Sequence, residues 1–570
     1  MRTVMRYLLP YKWRVVCGVT VKFTAAVLEL VLPLLLAHVI DDLVPVRDLT
    51  AIWITGGAMA LLAFGAAGCN ITANRMAAKV SMEVTRNLRQ DLYSRVQGLS
   101  CAQTDQYSIS SLVSRLTNDT YNVHQMFDKV QRGGIRAPML VLGGLVLTFL
   151  LEPALAAVQL VVSLLTFLTI YLVTCRGIPH YARSQAAVDT VVRVIRENAS
   201  GVRVIKALAC QGSERTRFDG ANRASRKAEE DAGCVMAAAN PLTDLLLNTG
   251  LTMVVLLGAF RVNAGAMPAG QIVVFLSYFA LIQTATLGIA KVFVKVSKGA
   301  ASSRRIEEVL LAPEIQRVEP EQPPHPGELG MEHVNFSYLG VEQDLDDASF
   351  IIEKGGTLGI LGPTGSGKTT LVSLLLRLYD AGSGAVWVQG QDVKTVPPDT
   401  LRRPFGVVFQ SEALLAGTVY ENISFLRELS REEVEAAART AQAWEFIEKL
   451  PQGLDTQVDI RGANLSGGQR QRLLIARALA GRPSILILDS ADSGLDYRTA
   501  AQLHSTLRRD CPGMTTVVIS ERVSSLREAD WILVLEEGRI VAQGSHETLL
   551  ETCGRYRRMA ELQMGGGALA

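Results

Sequence analysis

The eight cysteines of this 570-residue chain are scattered, with no C-x-x-C pair and no histidine beside them at zinc-binding spacing. Structural zinc and dithiol chemistry are not what organises such a sequence, and the cysteines read as reduced thiols. A long basic run is missing too, as is any basic stripe interleaved with aromatics, and the formal net charge is only +2. Nucleic acid and other extended polyanions are therefore not expected as partners. There is no internal repeat, so a solenoid is not expected. Three loops, around Asp41 to Asp48, Glu152 to Pro153 and Arg261 to Met267, carry almost no positive charge.

What is abundant is apolar surface: 48% of the residues are hydrophobic, mean hydropathy is +0.22, and the excess lies in the first half of the chain. Long apolar stretches recur at Val15 to Ile40, Ile52 to Asn74, Ile135 to Leu151, Leu155 to Thr174, Leu242 to Phe260 and Ile272 to Val294. About twenty apolar residues at 1.5 Å rise cross a bilayer core, so six transmembrane helices are expected, the third being the shortest. The first run, about 26 residues long, exceeds a signal-peptide core and is expected to stay as an anchor.

Positive charge lies on one side of these helices. Arg2, Arg6, Lys12 and Arg14 precede the first; Arg75, Lys79, Arg86 and Arg89 follow the second; Arg176 and Arg183 follow the fourth; Lys291, Lys295, Lys298, Arg304 and Arg305 close the sixth. The positive-inside rule then puts both termini in the cytoplasm of a multi-pass cell-membrane protein. Between helices two and three, and again between four and five, run about 60 polar, helix-prone residues. A 35-residue helix is about 50 Å long, so these segments are read as levers, or at least stalks, that carry the bundle into the cytoplasm and return, the alternative being a pair of ordinary soluble helical hairpins.

After Leu311 the prolines Pro313, Pro320, Pro323, Pro324 and Pro326 mark a linker, and strand-like and helix-like runs then alternate to about Leu562. The expected fold is an all-α transmembrane domain, six helices with long cytoplasmic extensions, fused to an α/β domain with a largely parallel sheet. The expected boundaries are a membrane domain 1–311, a linker 312–328, a second domain 329–562 and a disordered tail 563–570.

That second domain carries phosphate chemistry. The apolar strand Leu358 to Leu361 runs into Gly362-Pro363-Thr364-Gly365-Ser366-Gly367-Lys368-Thr369 and the helical run Thr370 to Leu378, which is a P-loop in its required strand–turn–helix context. Glycines let backbone amides close around phosphate oxygens, Lys368 reaches the β- and γ-phosphates, and the Thr369 hydroxyl ligates Mg²⁺. Leu465-Ser466-Gly467-Gly468-Gln469 opens a helix, and about a hundred residues beyond the P-loop the strand Ile485 to Leu488 ends in Asp489, placed to hold Mg²⁺ through water.

On these residues the chain resembles the ATP-binding cassette (ABC) transporters, and among them the exporter-type half-transporters, over nearly its whole length. The resemblance implies that Tyr338 stacks on adenine, that Gln410 in Val407-Val408-Phe409-Gln410 senses Mg²⁺, and that Ser493-Gly494-Leu495-Asp496 is a D-loop. It implies that Thr370 joins the nucleotide contacts, and that Leu112 to Asp119 and Glu197 to Ala207 belong to the cytoplasmic loops. It also implies two nucleotide domains closing head-to-tail over two ATP molecules. Each ATP would lie between the P-loop of one domain and the Leu-Ser-Gly-Gly-Gln of the other.

Two positions depart from the family pattern. Ser490 stands where a glutamate polarises the attacking water, and Glu521 stands where a switch histidine meets the γ-phosphate. Losing a general base costs about 10² to 10⁴ in rate. Glu521 must turn away, pair with Arg522, or disfavour a closed ATP state. Ile460 is a third, smaller departure, where exporters carry glutamate. The reading that follows is a degenerate site in a heterodimeric exporter of drugs, lipids or peptides, with the partner half-transporter supplying an intact glutamate and histidine. Alternatives are neutral drift in an active enzyme, compensation by Glu521 itself, an ATP-gated regulatory or channel-like module, and a homodimer with atypical hydrolysis. Within the membrane, Lys22 and Glu29, seven apart on one helix, and Asp244 and Asn248, four apart on another, are the candidate lining of a substrate path. The aromatic residues Phe167, Tyr171, Phe275, Tyr278 and Phe279 are expected to pack.

Overall fold

The computed structural model describes residues 2–313, 316, 318–320, 322–338, 340–411 and 413–564. Of the expected disordered tail 563–570, the first two residues instead end the helix Gly554–Met564, and 565–570 lie outside the described residues, as do four positions of the expected linker. The chain divides into two compact units. One comprises 1–98 and 109–312, the other 99–108 and 313–570.

In the first unit, six helices among the described residues are long and apolar enough to cross a membrane: Thr3–Val46, Leu49–Gln97, Ile109–Leu151, Pro153–Ser200, Gln211–Asn263 and Gly270–Leu310. Each expected apolar run is the core of one of them, and each helix extends well past it. Leu49–Gln97 starts at an Asp48 cap whose carboxylate accepts from the Ala51 amide at 3.0 Å; its 49 residues span about 70 Å. The short third apolar run belongs to a helix of 43 residues, whose polar half was legible only as a helix-prone stretch.

The first, third and sixth spans share a core of Ala26, Leu30, Ala137, Leu140, Val274 and Tyr278, where the Tyr278 hydroxyl donates to the Leu30 carbonyl at 2.5 Å. The third and sixth approach closely at Gly299, where an added Cβ would lie 2.4 Å from that of Met126. Leu155, Val162, Val254, Phe275 and Phe279 form a second core with the fourth and fifth spans. Phe275, Tyr278 and Phe279 thus pack as expected, whereas Phe167 and Tyr171 are exposed. Further along the third and sixth helices, buried Asp119 accepts from Ser302 at 2.7 Å and pairs with Arg305.

The second unit contains twelve strands among the described residues. Strands β1 (Leu329–Phe336), β2 (Leu345–Ile352), β4 (Ser383–Val388) and β5 (Gln391–Asp392) form an antiparallel sheet, a layer not anticipated from the sequence. Strands β3 (Thr357–Leu361), β6 (Phe405–Val408), β9 (Ile485–Asp489), β10 (Thr515–Ile519), β11 (Trp531–Glu536) and β12 (Arg539–Gly544) form the central sheet in the order β12-β11-β3-β10-β9-β6. It is parallel except for the β12 edge. Strands β7 (Gly417–Thr418) and β8 (Gln457–Val458) make a short pair.

Because β3, β9 and β10 are adjacent and parallel, their C-terminal ends lie side by side, which is where ligands sit in open α/β sheets. Every residue of β9 and β10 is buried, as expected for strands covered on both faces. A separate core of Val434, Ala438, Ile447, Leu473 and Ile475 supports the helix Gly467–Ala480.

Candidate functional site

The C-terminal end of β3 turns at Gly362 and enters the helix Lys368–Leu375 through Gly367, whose φ of +97° an L side chain rarely adopts. This turn forms one wall of a cavity of about 180 Å³ lined by Thr364, Gly365, Gly367, Lys368, Thr369, Thr370, Gln410, Asp489, Ser490, Glu521 and Asp344. Eight of the nucleotide-site residues expected from sequence are thereby brought to one place, together with both departures from the family pattern.

The Lys368 ammonium donates to the carbonyls of Gly362 at 2.8 Å and Pro363 at 2.7 Å. Burial pushes the Lys368 amine below its ordinary value, against the opposing charges of Glu521 and Asp489. The Thr369 hydroxyl donates to Asp489 Oδ2 at 2.9 Å. Burial pushes the Asp489 carboxyl up, while hydrogen bonds from Thr369 and Ser490 and the Lys368 charge oppose it. A hydroxyl, a carboxylate and the amide of Gln410 on one cavity form a hard-oxygen donor set, which suits Mg²⁺. The buried Ser366 hydroxyl has no hydrogen-bond partner among the described residues.

Ser490 follows β9 in a left-handed conformation, φ 54°, fixed by its amide donating to the Ile519 carbonyl at 2.9 Å. Its hydroxyl lies 3.4 Å from Asp489 Oδ1 and is positioned as a donor to that carboxylate. Glu521, just past β10, neither turns away from the P-loop nor pairs with Arg522. Its carboxylate accepts from the Thr364 hydroxyl at 3.0 Å. Gln563 fastens this segment by donating to the Glu521 carbonyl and accepting from the Val523 amide, both at 2.8 Å.

Tyr338 is half-exposed, edge-on to Phe336 at 4.8 Å and to Tyr379 at 5.0 Å, with its hydroxyl 3.4 Å from that of Thr370. Tyr379 in turn donates to Asp105 at 2.5 Å, on the short helix Cys101–Tyr107 of segment 99–108. The signature residues stand apart from the cavity. Ser466 caps the helix Gly467–Ala480 with a reciprocal box, Gln469 N to Ser466 Oγ at 3.3 Å and Ser466 N to Gln469 Oε1 at 2.9 Å, beside half-exposed Leu465 and Gly468. Asp496 caps the next helix, accepting from Thr499 N at 2.9 Å, and that bond holds its carboxyl below the usual range.

A family model described as the ABC transporter transmembrane region matches residues 15–286, and one described as ABC transporter matches 345–493. The chain is 33% identical to the uncharacterized ABC transporter ATP-binding protein YfiB of Bacillus subtilis (strain 168), covering 99% of each chain. It is 30% identical to the ATP-dependent lipid A-core flippase of Albidiferax ferrireducens, covering 98% of this chain and 97% of the other. A solved bacterial Atm1-family ABC exporter with ATP bound superposes with a TM-score of 0.83 at 25% identity, over 97% of this chain and 98% of that one. The chain belongs to the ABC exporter family.

An ABC exporter is a multi-pass membrane protein that uses ATP to drive transport, and two further clusters in this one were not anticipated. The first is a polar network inside the membrane spans. Lys22 is 4% exposed. Instead of reaching along its helix to an interface, it donates to Asn70 Oδ1 at 2.8 Å and Asn74 Oδ1 at 3.0 Å. Asn70 also donates to Glu29 Oε1 at 2.7 Å, and Arg136 pairs with Glu29 Oε2 at 2.7 Å. Lys22 and Glu29 are therefore joined, but Asp244 and Asn248 lie exposed on another helix, where Asn248 donates to the Asp244 carbonyl at 2.9 Å. Single asparagines inside apolar runs were the available signal for Asn70 and Asn74. The second cluster is buried Asp492, two residues past Ser490, which lies 3.3 Å from His504 Nε2. Burial pushes the Asp492 carboxyl up, but its bonds and the His504 charge outweigh this and hold it below the usual range.

Proposed function

We propose that this exporter chain is the degenerate-site half of a heterodimer that moves lipids or similar amphiphiles, with both termini in the cytoplasm. The observation that carries the reading is the pair at the ends of β9 and β10. Ser490 offers a hydroxyl that donates to Asp489 instead of a carboxylate that could orient water, and Glu521 presents negative charge to the P-loop through Thr364. A neutral serine hydroxyl takes no proton at neutral pH, so the step that a general base accelerates by about 10² to 10⁴ has no agent here.

In this reading Tyr338 stacks on adenine, the amides from Gly362 to Thr370 and the Lys368 ammonium hold the phosphates, and Thr369, Gln410 and Asp489 hold Mg²⁺. The bound metal supplies charge neutralisation of the phosphates. Leu465 to Gln469 face the partner's ATP, where exposed Ser466 and Gly467 at a helix N-terminus offer amide donors and a favourable dipole. The D-loop residue Asp496 lies at the same junction. A lipid cargo is favoured by the likeness to a lipid A-core flippase.

Phosphate release by the purified chain, alone and with its co-purified partner, tests this. The chain alone binds ATP and turns over very slowly; the double variant Ser490→Glu with Glu521→His turns over faster. In the complex, Ser490→Ala leaves the rate nearly intact. Brisk hydrolysis by a verified self-paired assembly, or loss of activity in the complex on Ser490→Ala, refutes the proposal.

A further inference from the structure

We propose that a cavity of about 660 Å³ among the membrane spans, where Lys22, Asn74, Arg132, Arg136, Lys291 and Lys295 converge, binds the oxyanion headgroup of an amphiphile, a phosphate or carboxylate whose acyl chains follow the apolar helix faces. The inference rests on the lipid reading and names the chemical group by which the cargo is recognised.

The charge balance of the cavity is the starting point. Six cations line it once Lys129 is included, and three of them meet a carboxylate within the protein: Arg136 pairs with Glu29 at 2.7 Å, while Arg132 and Lys129 share Asp128 at 2.7 and 3.4 Å. Lys22 is not, because its partners at 2.8 and 3.0 Å are amide oxygens of Asn70 and Asn74. Lys291 and Lys295 meet no carboxylate within ion-pair distance among the described residues. Three ammonium groups therefore share one concavity without a counter-ion. Charges at membrane depth are costly unless paired, and they mark pathways for that reason. An entering oxyanion supplies the missing charge.

Position along the bundle separates a headgroup from a small solute. Lys22 lies about two turns into the first apolar run, and Asn74 ends the second run. Arg132 and Arg136 open the third, and Lys291 and Lys295 close the sixth. Odd-numbered spans begin and even-numbered spans end on the same side, so all six residues lie at one level near one membrane face. That is the depth of lipid headgroups, where each lysine or arginine near the surface attracts anionic lipid. The remaining wall includes small and apolar groups such as Ala137 and Val292, which leaves room for a bulky group and gives its chains an apolar exit. Asn70 and Asn74 clamp the Lys22 ammonium from the second span, so the charge is held in place for a ligand.

The test is lipid binding by the purified assembly in detergent without nucleotide, read by native mass spectrometry. The probes are phosphatidylglycerol, phosphatidylcholine with the same chains, and soluble glycerol phosphate. Wild type binds phosphatidylglycerol preferentially and glycerol phosphate weakly. The exposed pair Lys291→Gln with Lys295→Gln binds phosphatidylglycerol about thirtyfold more weakly. Arg176→Gln with Arg183→Gln, exposed on the fourth span at the same end of the bundle, binds like wild type. Lys22→Gln provides a second loss inside the cavity. Equal binding of the two lipids overturns the proposal, as does an equal loss in the control pair. Glycerol phosphate binding as tightly as phosphatidylglycerol overturns the amphiphile assignment. Selective binding without ATP-driven lipid movement would instead sink only the export reading.

Discussion

Replacing Glu521 by glutamine isolates the effect of its charge. The amide is isosteric and keeps an oxygen that can accept from Thr364, so the segment after β10, already held by Gln563, has no reason to move. Two unit charges about 4 Å apart interact by about 4 kcal/mol at an effective dielectric of 20 and by about 1 kcal/mol in water. Glu521 is exposed, so the penalty it imposes on a bound phosphate lies toward the lower figure. Glu521→Gln is then expected to tighten Mg-ATP binding by about five- to thirtyfold. One term opposes this: the Glu521 charge helps keep Lys368 protonated against burial, so the gain shrinks as pH rises above neutrality. Equilibrium binding of a fluorescent ATP analogue, measured at low and high salt, reads both effects, and screening should reduce the gain at high salt. Unchanged or weaker binding by Glu521→Gln at neutral pH and low salt would refute the electrostatic reasoning.

Asp489 gives a pH prediction with a definite sign. Burial raises its carboxyl pKa, so the folded protein binds that proton more tightly than the unfolded chain, and the ionised group costs stability above the raised value. Asp489→Asn, which keeps an acceptor for Thr369, is expected to raise the melting temperature near neutral pH without Mg²⁺ or nucleotide; the advantage disappears as pH falls through the raised pKa. A melting difference that grows on acidification contradicts this. Tyr379→Phe removes the hydrogen bond to Asp105 and is expected to cost about 1 kcal/mol in coupling within a double-mutant cycle with Asp105→Asn. The measured quantity is substrate-stimulated ATP hydrolysis, and simple additivity of the two changes contradicts a working contact.

Among these elements, the ones legible in the sequence are those whose physics is local. A P-loop is a contiguous run between strand and helix, and the strand ending in Asp489 and the capped signature helix are equally compact. Six apolar runs gave the spans, because the bilayer demands about twenty such residues in each case. The antiparallel sheet escaped notice because β1 and β2 precede the P-loop strand while β4 and β5 follow the P-loop helix, so alternation of strand and helix along the chain suggested one largely parallel sheet. The helix ends were also hidden, since polar continuations of membrane helices lose hydropathy without losing helicity.

The sequence by itself determined which chemical groups this exporter carries: a phosphate loop, a serine in place of a base, a glutamate in place of a histidine and charged residues in the membrane spans. Only the tertiary structure decided which of these meet. Adjacent parallel strands β3, β9 and β10 bring Lys368, Ser490 and Glu521 to one cavity, although Glu521 is 157 residues from its partner Thr364. Helix packing joins Lys22 and Glu29 to Asn70, Asn74 and Arg136 and leaves Asp244 elsewhere. Spacing along one helix places residues on a common face, but which neighbouring helix that face meets depends on contacts between segments distant in the chain.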